Sequence, residues 1–139
     1  MEELINLLHT GGYSCTIANK GEIRTFTQRG MADIYDLLTQ EPEFLKGASI
    51  ADKVVGKGAA ALMILGGIKE LYTDIISTKA LELLQKSDIK VDFTEEVPFI
   101  WNRNHTGGCP VETMCSEVES AEEILPLIGD FLERIRSKK

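Results

Sequence analysis

The run Asn102-Arg103-Asn104-His105-Thr106-Gly107-Gly108-Cys109-Pro110-Val111-Glu112 places hydrogen-bond donors, adjacent glycines, a thiol and a proline-led helix start in one short stretch. Pro110 suits the first turn of a helix, where its missing N–H costs nothing. That puts Cys109 at or near an N-cap. A thiol there faces unpaired N–H groups and the positive end of the helix dipole, which favours the nucleophilic thiolate. Glu112, three residues on, is spaced to satisfy the N-cap amide. Gly107-Gly108 permits backbone shapes that turn neighbouring N–H groups inward, and such turns before a helix bind anions. Asn102, Arg103 and Asn104 add side-chain donors. The plain alternatives are a small residue packed beside a turn, for Cys109, and an exposed loop, for the glycines.

Lys53 and Lys57 form a second cluster. They lie in a segment that reads as the strongest helix, from Ser49 through Val54, Val55, Leu62, Met63 and Leu65 to Gly66-Gly67. Four residues apart on a helix, the two lysines share a face. Gly56 and Ala60 beside them allow a ligand or backbone to approach closely. Ser49 and Asp52 fit a capping-box variant at the helix start. This cluster is either a second anion site or the one solvated stripe of a buried helix. The catalytic set expected from both clusters is Cys109 as nucleophile with Lys53 and Asp52, Asp52 or Glu112 orienting a lysine or transferring a proton. The ligand-binding set is Lys57, Asn102, Arg103, Gly107, Gly108 and Glu112, with Cys109 facing Lys53 and Lys57 across a pocket.

Other chemistries fit poorly. A phosphate loop over Asp52–Gly58 needs Gly at 51 and Ser or Thr at 58, where Ala51 and Gly58 stand. Neither a GxGxxG fingerprint nor a GxSxG elbow occurs. His9 and His105 are the only histidines, which leaves little room for a histidine-based triad. The three cysteines, Cys15, Cys109 and Cys115, include no CxxC pair, so neither a disulfide framework nor a four-cysteine zinc site is expected. Cys109 and Cys115 point to separate helix faces, and with His105 they match no standard zinc spacing. Cys15, in a strand, reads as core. No metal and no cofactor are expected. Asn104-His105-Thr106 matches a glycosylation sequon, taken as chance.

These residues need a scaffold, and its elements are legible in outline. Glu2–His9 is a short amphipathic helix with Leu4, Ile5, Leu7 and Leu8, ended by Gly11-Gly12. Tyr13–Ala18 and Glu22–Thr27 form a hairpin about Asn19-Lys20-Gly21. A helix over Gly30–Thr39 precedes a looser segment containing Pro42 and Gly47. After the long Ser49–Gly67 helix, Ile68–Asp74 reads as a strand, Ser77–Ser87 as a helix and Ile89–Thr94 as a strand. That order implies a parallel crossover. Val97–Trp101 is expected to be a fifth strand and Ala121–Arg136 a final amphipathic helix. Its basic end, with Arg134, Arg136, Lys138 and Lys139, suits the negative pole of the helix dipole.

The 139 residues suffice for one domain spanning 1–139. Hydrophobic content of 43% and charged content of 27% are those of a globular protein. A formal net charge of −7 argues against broad nucleic-acid or acidic-membrane binding, while leaving room for a local basic pocket. The longest apolar stretch, Ala59–Ile68, is interrupted by two glycines and falls short of the roughly 20 residues a membrane helix needs. The acidic start, Met1-Glu2-Glu3-Leu4, is unlike a signal peptide, so a cytoplasmic location is expected. A homo-oligomer is a weak expectation for a domain of this kind.

Three segments together carry a family resemblance: Ala51-Asp52-Lys53-Val54-Val55-Gly56-Lys57 with its Ala-rich continuation, Ser77-Thr78-Lys79-Ala80-Leu81, and Asn102-Arg103 through Gly107-Gly108-Cys109-Pro110. From about Leu4 to about Glu133 the chain resembles an uncharacterised domain family assigned to the cytidine deaminase-like superfamily. The resemblance implies a three-layer α/β/α sandwich around a mixed five-stranded sheet, with the first two strands antiparallel and the later ones parallel. It does not imply deamination. Zinc deaminases carry H-x-E on one helix and P-C-x-x-C at the start of the next, and the helix starts expected here hold neither. Without those ligands no bound zinc lowers the pKa of water.

The expected function is therefore binding of a small anionic ligand, nucleotide-like by resemblance only, in a pocket with a cysteine and lysines. A zinc-independent enzyme using Cys109 is one form of it. A noncatalytic ligand-sensing or protein-interaction module is the alternative. An activated Cys109 is alkylated by iodoacetamide at neutral pH well before Cys15, which peptide mapping of the labelled native protein checks. Equal, slow labelling of the two cysteines removes the nucleophile.

Overall fold

The computed structural model describes residues 2–27, 32–98 and 121–137. Its elements run α1 (Glu2–Gly11), β1 (Cys15–Asn19), β2 (Glu22–Phe26), α2 (Ala32–Gln40), α3 (Pro42–Leu45), β3 (Ser49–Val55), α4 (Lys57–Gly66), β4 (Glu70–Ser77), α5 (Thr78–Gln85), β5 (Lys90–Val97) and α6 (Ala121–Ser137). The strands make one mixed sheet in the order β2-β1-β3-β4-β5. β1 pairs antiparallel with both β2 and β3, whereas β3, β4 and β5 run parallel. The helices α4 and α5 make the crossovers that parallel pairing requires.

The hairpin forms where its turn chemistry permits. Asn19 pairs with Glu22, so Lys20 and Gly21 are the two loop residues, with φ of 50° and 82°. Positive φ at both positions is what a two-residue turn needs to match strand twist. The hairpin base is tied down from outside the sheet. Asn19 Nδ2 donates to the carbonyls of Phe44 and Lys46 at 2.7 and 2.9 Å. Arg24 stacks 4.0 Å over the Phe44 ring and reaches Glu22 and Glu41.

Side-chain alternation along the sheet sorts the core into two clusters. Ile17, Ile50, Leu71 and Ile76 face one way, packed with Ile34 and Leu37 of α2, Ala60–Met63 of α4, Leu84 of α5 and Ile124 and Ile128 of α6. Ala51 faces the other way, against Leu4 and Leu8 of α1, with Ala18 and Tyr72 around them. Helices thus cover both faces, one on the α1 side and several opposite. α4 is apolar nearly all round because it lies beneath its neighbours, with Lys57 through Met63 all buried. It ends at Gly67, whose left-handed φ of 72° closes the last turn.

The expected Ser49–Gly67 helix is corrected. Ser49–Val55 is the central strand, and only Lys57–Gly66 is helical. Ser49 and Asp52 therefore form no capping box, and Lys53 and Lys57 do not share a helix face. The strand lies between β1 and β4 and is buried along most of its length. Such strands lack the alternation that distinguishes half-exposed ones, so a short apolar run reads equally as helix. Gly56 marks the boundary. The count of five strands holds with different members: β3 is one of them, and Val97 ends β5. The rest of the expected Val97–Trp101 strand lies outside the described residues beyond Pro98. β4 begins and ends later than the expected Ile68–Asp74, and Pro42–Leu45 is a short helix within the looser segment.

Gly66 sits where α4 meets α3. A Cβ there would lie 2.9–3.0 Å from Leu45 Cδ1 and Cβ, and Leu45 is fully buried. Gly66→Ala is expected to lower stability by about 1–3 kcal/mol through overpacking, read as a shift in the urea midpoint with an unchanged slope.

Candidate functional site

The buried polar and charged side chains are Thr16, Asp52, Lys57, Thr73 and Ser77 among the described residues. Thr16 is accounted for by α1, since its hydroxyl donates to the Leu4 carbonyl at 3.1 Å. The other four lie on β3, on β4 and at the first helical residue after β3. Asp52 and Thr73 are register partners across β3 and β4. Ser77 ends β4 and caps α5, its hydroxyl accepting from the Ala80 amide at 3.1 Å. Lys57 opens α4 and is 7% exposed.

Asp52 is the electrostatic centre of this group. It is 6% exposed, and burial pushes its carboxyl group up to about 7. The amides of Lys53 and Val54 hydrogen-bond to it and oppose the rise, the first at 2.8 Å. The Asp74 charge adds to the rise, and the Cys15 thiol, donating to the carboxylate, opposes it. Cys15 is the register partner of Asp52 on β1. Burial raises its thiol well above the usual range, followed by the charges of Asp52 and of Asp33 in the first turn of α2. Cys15 is thus held as a thiol. β1 and β3 bring Cys15 and Asp52 together in register, and the charge of Asp33 on α2 reaches Cys15.

The start of α4 differs from that of α5. Gly56 is its N-cap and offers no side-chain hydrogen bond, so nothing from the cap residue occupies the first amides. Those amides form the positive end of the helix dipole. Lys57 adds a second positive charge at that end.

Of the expected site residues, Asp52 and Lys57 come to the carboxyl half of β3 and the start of α4. Lys53 follows Asp52 along β3, half-buried, and is not on the helix that Lys57 opens. Cys109, Asn102, Arg103, Gly107, Gly108 and Glu112 lie outside the described residues, as do His105 and Cys115. Cys15 and Asp33 were not anticipated. The usable signal was an acidic residue inside an apolar run bounded by Gly56, which as a strand must bury its carboxyl group. A separate polar chain occupies the α1 face. His9 Nε2 lies 2.8 and 3.0 Å from the Asp74 oxygens, Tyr72 donates to Asp74 at 2.8 Å, and Thr94 lies 2.7 Å from Tyr72 Oη. Among the described residues no three His, Cys, Asp or Glu side chains are grouped to hold a metal ion. No helix there is long and apolar enough to cross a membrane.

The fold defines an α/β protein whose helices pack a mixed five-stranded sheet. A family model described as TM1506, domain of unknown function (DUF1893), matches residues 3–132, and the chain belongs to that family. The crystal structure of a DUF1893 family protein (TM1506) from Thermotoga maritima is similar, with a TM-score of 0.85 at 22% identity. The match covers 93% of this chain and 87% of that one, and at this identity it speaks to the fold. No curated protein matches the chain.

The buried carboxyl group makes a prediction about pH. With the folded value near 7 and the unfolded one in the ordinary carboxylate range, the folded state holds the proton more tightly. The stability this contributes is complete at acid pH and is lost as pH rises through about 7. Asp52→Asn removes the dependence. Relative to wild type, the variant is expected to gain stability between about pH 5 and 7.5, by up to ~1.4 kcal/mol per pH unit, and then level off. Urea denaturation of both proteins across that range measures it. Parallel curves would mean that Asp52 titrates normally.

Proposed function

We propose that this chain binds a small anionic ligand at the carboxyl ends of β3 and β4, against the first turn of α4. The observation that carries the proposal is Lys57, a buried lysine at a helix start whose N-cap Gly56 offers no side-chain hydrogen bond to the first amides. A positive charge at the positive end of a helix favours negative charge beside it. A phosphate- or carboxylate-bearing ligand supplies such charge. Crevices at the carboxyl ends of parallel strands are where open α/β sheets gather ligands. Arg103, the Gly107-Gly108 turn, Glu112 and Cys109 belong, in this reading, to a loop that completes the same site within one domain. Lys53, on β3, stands next to Asp52 in this reading and not on a helix face with Lys57.

A nucleotide-like ligand is the form suggested by resemblance to the cytidine deaminase-like superfamily. The sheet order supports placing the chain beside those proteins, and the observed elements sharpen the comparison. The helix after the hairpin opens at Ala32-Asp33, and the helix after β3 opens at Lys57-Gly58 behind its N-cap Gly56. Those are the positions where H-x-E and P-C-x-x-C would fall. Asp33 keeps a carboxylate, and Lys57 stands as a cation where a zinc-bound thiolate would be. A cation-for-metal exchange of this kind favours holding an anion over activating water.

Phosphate and nucleoside monophosphates are expected to raise the thermal midpoint. At about a hundredfold excess over Kd the stabilisation is ~2.7 kcal/mol. Lys57→Met is expected to weaken binding at least roughly tenfold, corresponding to the loss of one charge-assisted hydrogen bond. A Lys57→Met protein that keeps the full shift would refute the site.

A further inference from the structure

We propose that Asp52 is a proton-operated latch on the carboxyl-terminal end of β3: as a carboxylate it pins the local chain path, and on taking up a proton it lets that end of the strand loosen. The latch belongs to the sheet itself and does not rest on the anion-binding reading.

The path it pins departs from regular strand geometry. Ile50 and Val55 both lie in the large core cluster, although they are five residues apart. Regular alternation puts residues an odd number apart on opposite faces. β3 therefore slips by one residue between them, so that Val55 is buried and Val54 is 40% exposed. β4 does the same, with Leu71 and Ile76 sharing that cluster, again five apart. The two strands stay paired beyond the slip, Val54 with Ile75 and Val55 with Ile76.

Asp52 and Thr73 stand in register just before the slip, and each bonds main chain within it. The Asp52 carboxylate accepts from the Lys53 amide at 2.8 Å and from the Val54 amide. The Thr73 hydroxyl donates to the Ile75 carbonyl at 2.9 Å. Of the two side chains only Asp52 can change charge. From β1 the Cys15 thiol donates to it, and from β4 the charge of Asp74 acts on it. Asp33 of α2 reaches Cys15. The charged residues next along its own chain are Lys53 and, at the start of α4, Lys57. Burial pushes the Asp52 carboxyl group up to about 7, so the change of charge falls near neutral pH. Hydrogen bonds to a carboxylate are roughly twice as strong as those between neutral groups. Releasing the proton to solvent thus tightens the amide bonds, and taking it back weakens them. The global and local effects have opposite signs. The buried charge is costly to the whole fold, while its stronger hydrogen bonds hold the slipped segment more firmly.

Amide hydrogen exchange followed by NMR, corrected for its intrinsic pH dependence, tests the latch at the Val54 amide. Its protection is expected to rise roughly tenfold between about pH 6 and about pH 8, while the urea-measured stability of the whole protein falls. The Lys53 amide also donates to the Ser14 carbonyl at 3.2 Å and should change less. In the wild-type protein the Asp52 carboxyl-carbon shift and the Val54 amide-proton shift should titrate with one midpoint, a readout that stands even if a variant does not fold. Asp52→Asn is expected to give flat Val54 protection. Protection that stays level or falls with pH in the wild-type protein, two separate midpoints, or an equal rise in Asp52→Asn overturns the latch. A buried acid without a latch gives the global fall alone.

Discussion

The central strand β3 must pair with both neighbours, bury both faces and deliver the chain to the start of α4. It is antiparallel to β1 and parallel to β4, so the change of strand direction in the sheet occurs at β3. Its core-facing Ile50 packs under the large helical layer, while Ala51, on the other face, receives Leu4 and Leu8 of α1. A small residue at 51 lets the helix approach, and the apolar stripe of α1 has this patch as its principal seat. The two layers of core meet across β3, flanked by β1 and β4, which also contribute to both. A buried carboxyl group within it is tolerated because adjacent amides and a thiol solvate it locally.

That arrangement has an electrostatic consequence at one end of the sheet. Buried carboxyl groups are expensive when charged and inexpensive when neutral, so burial and hydrogen bonding work against each other at Asp52. Their near balance leaves a group that can change charge within the physiological range. A few residues on, the positive end of α4 coincides with Lys57. The polar chain of His9, Asp74, Tyr72 and Thr94 is different in kind. It is largely solvated, its members satisfy one another, and it helps hold α1 on the sheet.

Local chemistry was legible wherever it was set by short-range rules. The Lys20-Gly21 turn, the Gly66-Gly67 stop, the Ser77 helix start and the amphipathic α1, α2, α5 and α6 all follow from turn residues, caps and periodicity. β3 was not legible. Ser49–Val55 mixes β-branched residues with Ala, Asp and Lys, and no sequence period separates a doubly buried strand from a buried helix. That one misreading put Lys53 and Lys57 on one helix face, whereas they lie on a strand and a helix. It also hid the pairing of Asp52 with Cys15, which are far apart in the chain and opposite each other in the sheet.

By itself the sequence determined the α/β class of fold and the absence of the zinc-deaminase motifs, because these depend on local pattern and residue identity. It also marked Asp52 and Lys57 as chemically unusual. Only the tertiary structure decided that they lie on different elements, that Cys15 pairs with Asp52 and that the charge of Asp33 reaches Cys15. Those facts depend on which strand lies beside which, and strand neighbours are chosen by long-range burial that local pattern does not encode.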